Sequence, residues 1–113
     1  MVIIIIRRFA RIDREDAFLA RFQDQAPRDN PDFLDEVLTR IDADAPIPRH
    51  IARAFVPVPG CVNFVNVARW RSWDGFARQF APQLADTRGF DPAIEAAPAQ
   101  IVVLDAGQGR AAA

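Results

Sequence analysis

The chain contains no lysine and no tyrosine, and one histidine and one cysteine among 113 residues. Without lysine, Schiff-base chemistry and a lysine general base are excluded; every basic residue is arginine. A single cysteine, Cys61, cannot close an internal disulfide, which points to a reducing compartment. His50 and Cys61 stand well apart and are too few for a soft-ligand metal site. Asp42 and Asp44 lack the loop pattern of calcium ligands and read as turn acids. No metal or other cofactor is expected. Neither sign of charge is in excess: 14 basic and 15 acidic residues leave a net charge of -1. Nothing in this balance steers the protein toward nucleic acid or an anionic membrane. A membrane-length hydrophobic run is missing too. Val2–Ile6 is far too short to span a bilayer, and Arg7 and Arg8 follow it instead of preceding it as in a signal peptide. The chain therefore reads as cytoplasmic.

A hydrophobic content of 50% with 26% charged residues describes an ordinary folded chain. The length fits one domain, taken as residues 1–106, followed by a tail at 107–113 expected to be disordered. The most informative stretch is 64–80. Phe64, Asn66, Ala68 and Trp70 alternate onto one face of a strand. From Trp73 the period changes, and Trp73, Phe76, Ala77, Phe80 and Leu84 recur at helical spacing. Ser72 stands at the junction as the helix N-cap, with Asp74 in the positively polarised first turn. A strand that runs straight into an amphipathic helix, with an amide and an indole on one face, suggests the wall of a pocket.

The other elements follow from similar signals. Val2–Ala10 reads as a strand that is apolar on both faces before its arginines. Asp13 reads as the N-cap of a helix lined by Phe18, Leu19, Phe22 and Ala26 and ended by Pro27. Phe33–Ile41 alternates loosely as a second strand. Residues 42–60 carry Pro46, Pro48, Pro57, Pro59 and Gly60, and form a long connection or hairpin arm. Val62–Trp70 is the third strand, and a second helix from Ser72 kinks or ends at Pro82. Asp91–Ile94 reads as one helical turn, and Gln100–Asp105 as a fourth strand.

The order β-α-β-β-α-β is the ferredoxin-like α+β arrangement: a four-stranded antiparallel sheet with two helices on one face. Two helices cover one face only, yet the first and fourth strands are apolar on both. A second copy of the chain, packed sheet face to sheet face, is the simplest cover, so a homodimer is expected.

The element order and the run Phe64-Val-Asn-Val-Ala-Arg-Trp-Arg-Ser-Trp-Asp-Gly-Phe76 resemble the antibiotic biosynthesis monooxygenase family of dimeric α/β barrels. In that family a third strand of the form "vn-x-a-x-W" leads into a helix that opens "S-x-x-a-F/Y". Pro31-Asp-Phe-Leu34 is similar to its "P-G-F-L", with Asp32 in place of glycine. The resemblance covers about residues 2–105. It implies a cofactor-independent monooxygenase that oxidises a phenol, an anthrone or a polyketide-like molecule with O2. It also implies roles for two residues. Asn66 would hydrogen-bond a substrate oxygen and stabilise the enolate or phenolate, while Trp70 would stack on the ring and help exclude water. Arg88 is the nearest match to an arginine that acts beyond helix two in some members. Two departures stand out. The tyrosine used by some members would fall near Phe76, so a phenolic proton donor is missing. The haem-degrading relatives need a histidine on helix two, where this chain reads Phe76-Ala-Arg-Gln-Phe80.

Without the resemblance, plainer readings remain open. On spacing alone the favoured reading of Asn66 is a buried amide that satisfies a neighbouring backbone group, and Trp70 equally fits core packing. His50, the one side chain that titrates near neutrality, is a candidate base if the connection folds over the pocket, and otherwise an exposed loop residue. Of Arg7 and Arg8, one could enter the cavity and hold an anionic group; both reaching solvent at the strand end is the favoured reading. The pocket shape is expected to depend on Phe18, Phe22, Phe55, Phe76 and Phe80, which would bind a small hydrophobic aromatic ligand. The alternative function is a ligand-binding or stress-response barrel without catalysis. An RNA-recognition sheet shares the element order but wants aromatics where the first strand has isoleucine.

Overall fold

The computed structural model describes residues 1–86 and 89–107. Arg88 and residues 108–113 of the expected tail lie outside them. The chain runs through β1 (Val2–Arg11), a 3-10 turn (Ile12–Arg14), α1 (Glu15–Asp24), β2 (Phe33–Arg40), β3 (Cys61–Trp70), α2 (Trp73–Gln79), α3 (Ala81–Ala85) and β4 (Glu95–Asp105). All pairings are antiparallel, in the order β2-β3-β1-β4. This is the α+β ferredoxin-like architecture that the element order predicts.

The local differences have physical causes. The turn into α1 is 3-10, and no side chain caps the helix, so Asp13 is not its N-cap. Ser72 does cap α2: its Oγ accepts from the Gly75 amide at 3.1 Å. Pro82 does not simply end the second helix. It lies in the first turn of a separate short helix, α3, where a missing N–H costs nothing. β4 starts at Glu95, five residues earlier than the apolar run predicts, and contains Pro98. An edge strand accepts a proline because one row of its N–H groups has no strand to meet, and the β1–β4 register shifts on either side of Phe9.

Both helices pack on the sheet face that carries Ile4, Ala10, Phe64, Ala68 and Trp70. Phe76 of α2 joins Ile4, Ala68 and Trp70, whereas Phe18 of α1 joins Ala10 and Phe64. Gly75 allows α2 to approach β2 closely. A Cβ there would lie 2.5 Å from the Cβ of Asp32, the residue that replaces glycine in the "P-G-F-L"-like stretch.

The opposite sheet face is covered at one end, and by the chain itself. No part of residues 42–60 forms a strand, so the connection is not a hairpin arm. It is a chain of turns laid against one end of this face. The Arg7 guanidinium donates to the Val56 carbonyl and to Asn63 Oδ1, and lies 4.8 Å from the centroid of the Phe9 ring and 5.8 Å from that of Phe55. Asn63 also accepts from the Val58 amide and donates to the Val58 carbonyl. Arg7 and Phe9 are thereby buried. The remainder of the face stays open, with Val37, Val102 and Leu104 exposed. It also carries the Asp35–Arg69 cross-strand pair, whose hydrogen bond holds the Asp35 carboxyl below the usual carboxylate range. Among the described residues, no helix is long and apolar enough to cross a membrane.

Candidate functional site

The strand-to-helix junction forms one wall of a cavity between sheet and helices, with a volume of about 310 Å³. That size falls at the lower end of the range for small-molecule pockets. Ala68 and Trp70 of β3, Ile6 of β1 and Ile101 of β4 supply its sheet side; Phe22, Phe76 and Phe80 supply its helical side. Trp70 is fixed from three directions. Its ring centroid lies 5.2 Å from that of Phe33, 5.5 Å from Phe76 and 6.2 Å from Phe80, with the last two edge-on. Edge-to-face contacts of this kind immobilise the indole beyond what area burial alone does.

The polar groups of the cavity include two pairs. Asn66 is 7% exposed, and its Nδ2 donates to Glu36 Oε2 at 3.1 Å. The two residues lie on neighbouring strands: Asn66 pairs with Leu38, and Glu36 with Ala68, so they are diagonal neighbours on the helix-covered face. An ionised carboxylate only accepts, so the amide nitrogen must face Glu36 and the oxygen must face elsewhere. That oxygen, Asn66 Oδ1, is buried without a hydrogen-bond partner among the described residues. Asn66 thus carries an unsatisfied acceptor in the cavity wall. The resemblance implies the opposite, a donor to a substrate oxyanion.

The second pair is Arg8 and Glu95. Arg8 Nε lies 2.7 Å from Glu95 Oε1, and the Glu95 side chain is 2% exposed. The favoured reading of Arg8 as a solvent-reaching strand end is corrected: the register puts Arg8 on the face of Ile4 and Ile6, so it lines the cavity. Arg7, one residue away, points to the other face under the connection.

Of the residues singled out in the sequence, Asn66, Trp70, Phe22, Phe76 and Phe80 converge on this cavity. Phe18 does not line it. That ring stacks on Phe64 at 4.8 Å, in the core cluster that also holds Ala10. Phe55 lies across the sheet, over Arg7, at a positive φ of 52°. His50 sits in an exposed turn of the connection, no residue of which lines the cavity. Arg88 falls outside the described residues. Glu36, Arg8 and Glu95 are the cavity groups that sequence reasoning misses or turns outward. A signal exists for Glu36: a carboxylate on the strand face shared with Leu38, the inward position beside Asn66. Among the described residues, no cluster of three metal-ligating side chains occurs.

Sheet, helices and cavity together define a class of protein, and comparison with known structures gives that class a context. No family model matches the chain, and no curated protein matches it by sequence. Solved structures do match it over nearly their whole length. A crystal structure described as an antibiotic biosynthesis monooxygenase aligns over 96% of this chain and 100% of its own, with a TM-score of 0.62 and 17% identity. SnoaB, a cofactor-independent oxygenase from Streptomyces nogalater, aligns over 96% of this chain and 95% of its own (TM-score 0.53, 19% identity). A variant of MhuD with two manganese protoporphyrin IX molecules bound per active site aligns over 99% and 100% (TM-score 0.57, 16% identity). At these identities the likeness is one of fold. The chain has the fold of the antibiotic biosynthesis monooxygenase structures that its sequence resembles.

Proposed function

We propose that this protein is a cofactor-independent monooxygenase that oxidises a small aromatic or polyketide-like molecule with O2. The observation that carries the reading is the unpartnered Asn66 Oδ1, buried in an aromatic cavity of about 310 Å³. An orphaned buried acceptor costs about 1–3 kcal/mol. A ligand hydroxyl that displaces the atoms covering Asn66 Oδ1 would remove that cost, while Trp70, Phe76 and Phe80 bind the ring. The fold shared with SnoaB supports the same reading. A porphyrin-binding reading, as for MhuD, has less support: α2 offers no histidine, and His50 lies in the connection, outside the cavity lining. The second reading is a ligand-binding barrel without turnover. It is favoured by one observation, that no histidine or tyrosine lines the cavity among the described residues.

A panel of anthrones and hydroquinones separates these readings, with quinone absorbance and O2 uptake followed for wild type, Asn66→Ala and Trp70→Phe. Wild type is expected to consume O2 with at least one substrate. Asn66→Ala is expected to lower kcat/KM by about 10- to 100-fold, the equivalent of one lost buried hydrogen bond. No uptake above the buffer rate on any substrate would leave the binding reading. Uptake unchanged by both substitutions would remove the site assignment.

The functional unit is proposed to be a dimer closed through the uncovered part of the outer sheet face, where Val37, Val102 and Leu104 are exposed beside half-buried Ile3 and Ile5. Contiguous apolar surface of this kind marks an interface. Sizing at micromolar concentration is expected to give about twice 12.6 kDa; a clean monomer would overturn the dimer.

A further inference from the structure

We propose that Glu36 is the proton acceptor of this cavity, a role for which the sequence offers neither a tyrosine nor a well-placed histidine. The proposal takes its substrate class from the oxygenase reading above. Among the described residues, three carboxylates line the cavity: Glu36, Asp86 and Glu95. Glu95 is committed to Arg8 and sealed from solvent. Asp86 is exposed, one residue beyond α3. Glu36 is half-buried, and its one hydrogen bond among the described residues is the one that it accepts from Asn66. Oε1 of Glu36 accepts no hydrogen bond among the described residues, and Glu36 lines the cavity. A ligand hydroxyl that donates to Asn66 Oδ1, or an enolisable carbonyl that accepts the second N–H of Asn66 Nδ2, is held next to that carboxylate by the same amide. Geometry of this kind, an acceptor within reach of the proton to be removed, is the first requirement for a general base.

The step balances within the site. The substrate's acidic C–H or O–H bond breaks, its electron pair stays on the substrate as an enolate or phenolate, and the proton bonds to a Glu36 oxygen. No electron is transferred, and O2 enters only afterwards, as the oxidant of the enolate. One negative charge moves from Glu36 to the substrate, so the cavity buries no additional ion, and the Arg8–Glu95 pair stays neutral throughout. The transfer also resolves the orientation of Asn66. A neutral carboxylic acid is a weaker acceptor than a carboxylate. Once Glu36 is protonated, the Asn66 Nδ2 hydrogens are free to donate to a substrate oxyanion seated at that nitrogen, not at Oδ1, where two acceptors would repel. The donor role implied by the resemblance then follows from the proton transfer.

The test isolates proton removal from oxidation. Anthrone is incubated anaerobically with the protein in D2O, and deuterium at its acidic methylene is followed by mass spectrometry. Wild type is expected to accelerate exchange over buffer. Glu36→Gln keeps an acceptor for Asn66 but is a far weaker base; it is expected to lower the accelerated exchange by about 10²- to 10⁴-fold. Anthrone binding, read by tryptophan fluorescence, is expected to change by less than about threefold. Should the glutamine variant fail to fold, Glu36→Asp, which retracts the carboxylate by one methylene, is expected to lower exchange by about 10-fold. Exchange within threefold of wild type in the variant that folds would overturn the proposal. So would bound anthrone that does not exchange in wild type. Exchange that depends on Glu36, without O2 uptake in air, would remove the oxygenase reading and keep the base.

Discussion

Replacing Glu95 with alanine is expected to lower the unfolding free energy by about 3 kcal/mol. Urea denaturation would then show the midpoint falling by about 2 M, for an m-value of the size found in small domains. Glu95 is 1% exposed at the start of β4, and its Oε1 accepts from Arg8 Nε at 2.7 Å. Arg8 retains 20% of its side-chain exposure, which holds the expected cost at the lower end of the range for a broken buried pair. The cost arises because the substitution would leave a guanidinium in the cavity wall without its counter-charge, not because the pair itself adds much stability. That distinction is testable. Arg8→Met combined with Glu95→Leu removes both charges and is expected to recover most of the loss. A single-variant cost below about 1 kcal/mol would mean that water reaches Arg8 and that the pair does not close the cavity floor.

The second large effect is expected at Trp70. Trp70→Ala should cost about 3–5 kcal/mol, the range for deletion of a large buried aromatic, and should lower Tm by at least about 12 °C for a domain of this size. Trp70 is 1% exposed and joins Phe33, Phe76 and Phe80, so its loss removes the hub of a four-ring cluster and enlarges a cavity that already exists. Collapse cannot fill the gap readily. Ser72 caps α2, and the close approach of Gly75 to Asp32 seats the helix. Trp70→Phe keeps a ring in place and is expected to stay folded, which is why it serves in the activity assay. Near-native stability of Trp70→Ala, measured by thermal denaturation, would contradict this packing.

The two pairs also explain why the cavity is only half legible in the sequence. Asn66 and Trp70 are readable because they are four residues apart on one strand, and strand alternation puts them on one face whatever else the chain does. Phe76 and Phe80 are readable from helical spacing. Glu36, Arg8 and Glu95 are not. Each lies on a different strand, and their meeting depends on the register of β2 and β4 against the two central strands. A one-residue slip would send each of them to the other face. Phe18 and Phe55 fail as cavity residues for a different reason: their apolar character does not say which cluster a helix ring joins, nor on which side of the sheet a loop ring comes to rest.

Local patterns in the sequence are enough to determine the four strands, the two helical segments, the Ser72 cap and hence the α+β ferredoxin-like order. These depend on side chains a few residues apart, and 2.0- and 3.6-residue periods are visible in a linear string. Tertiary structure alone decides three things. Arg8 faces the cavity while Arg7 faces the connection, residues 55–58 of the connection cover one end of the outer sheet face, and Glu36 stands beside Asn66. Each of these is a contact between residues 30 or more positions apart, set by strand register and by which turn finds a buried cation to cap. No local period encodes such contacts, because their energy exists only once the sheet has closed.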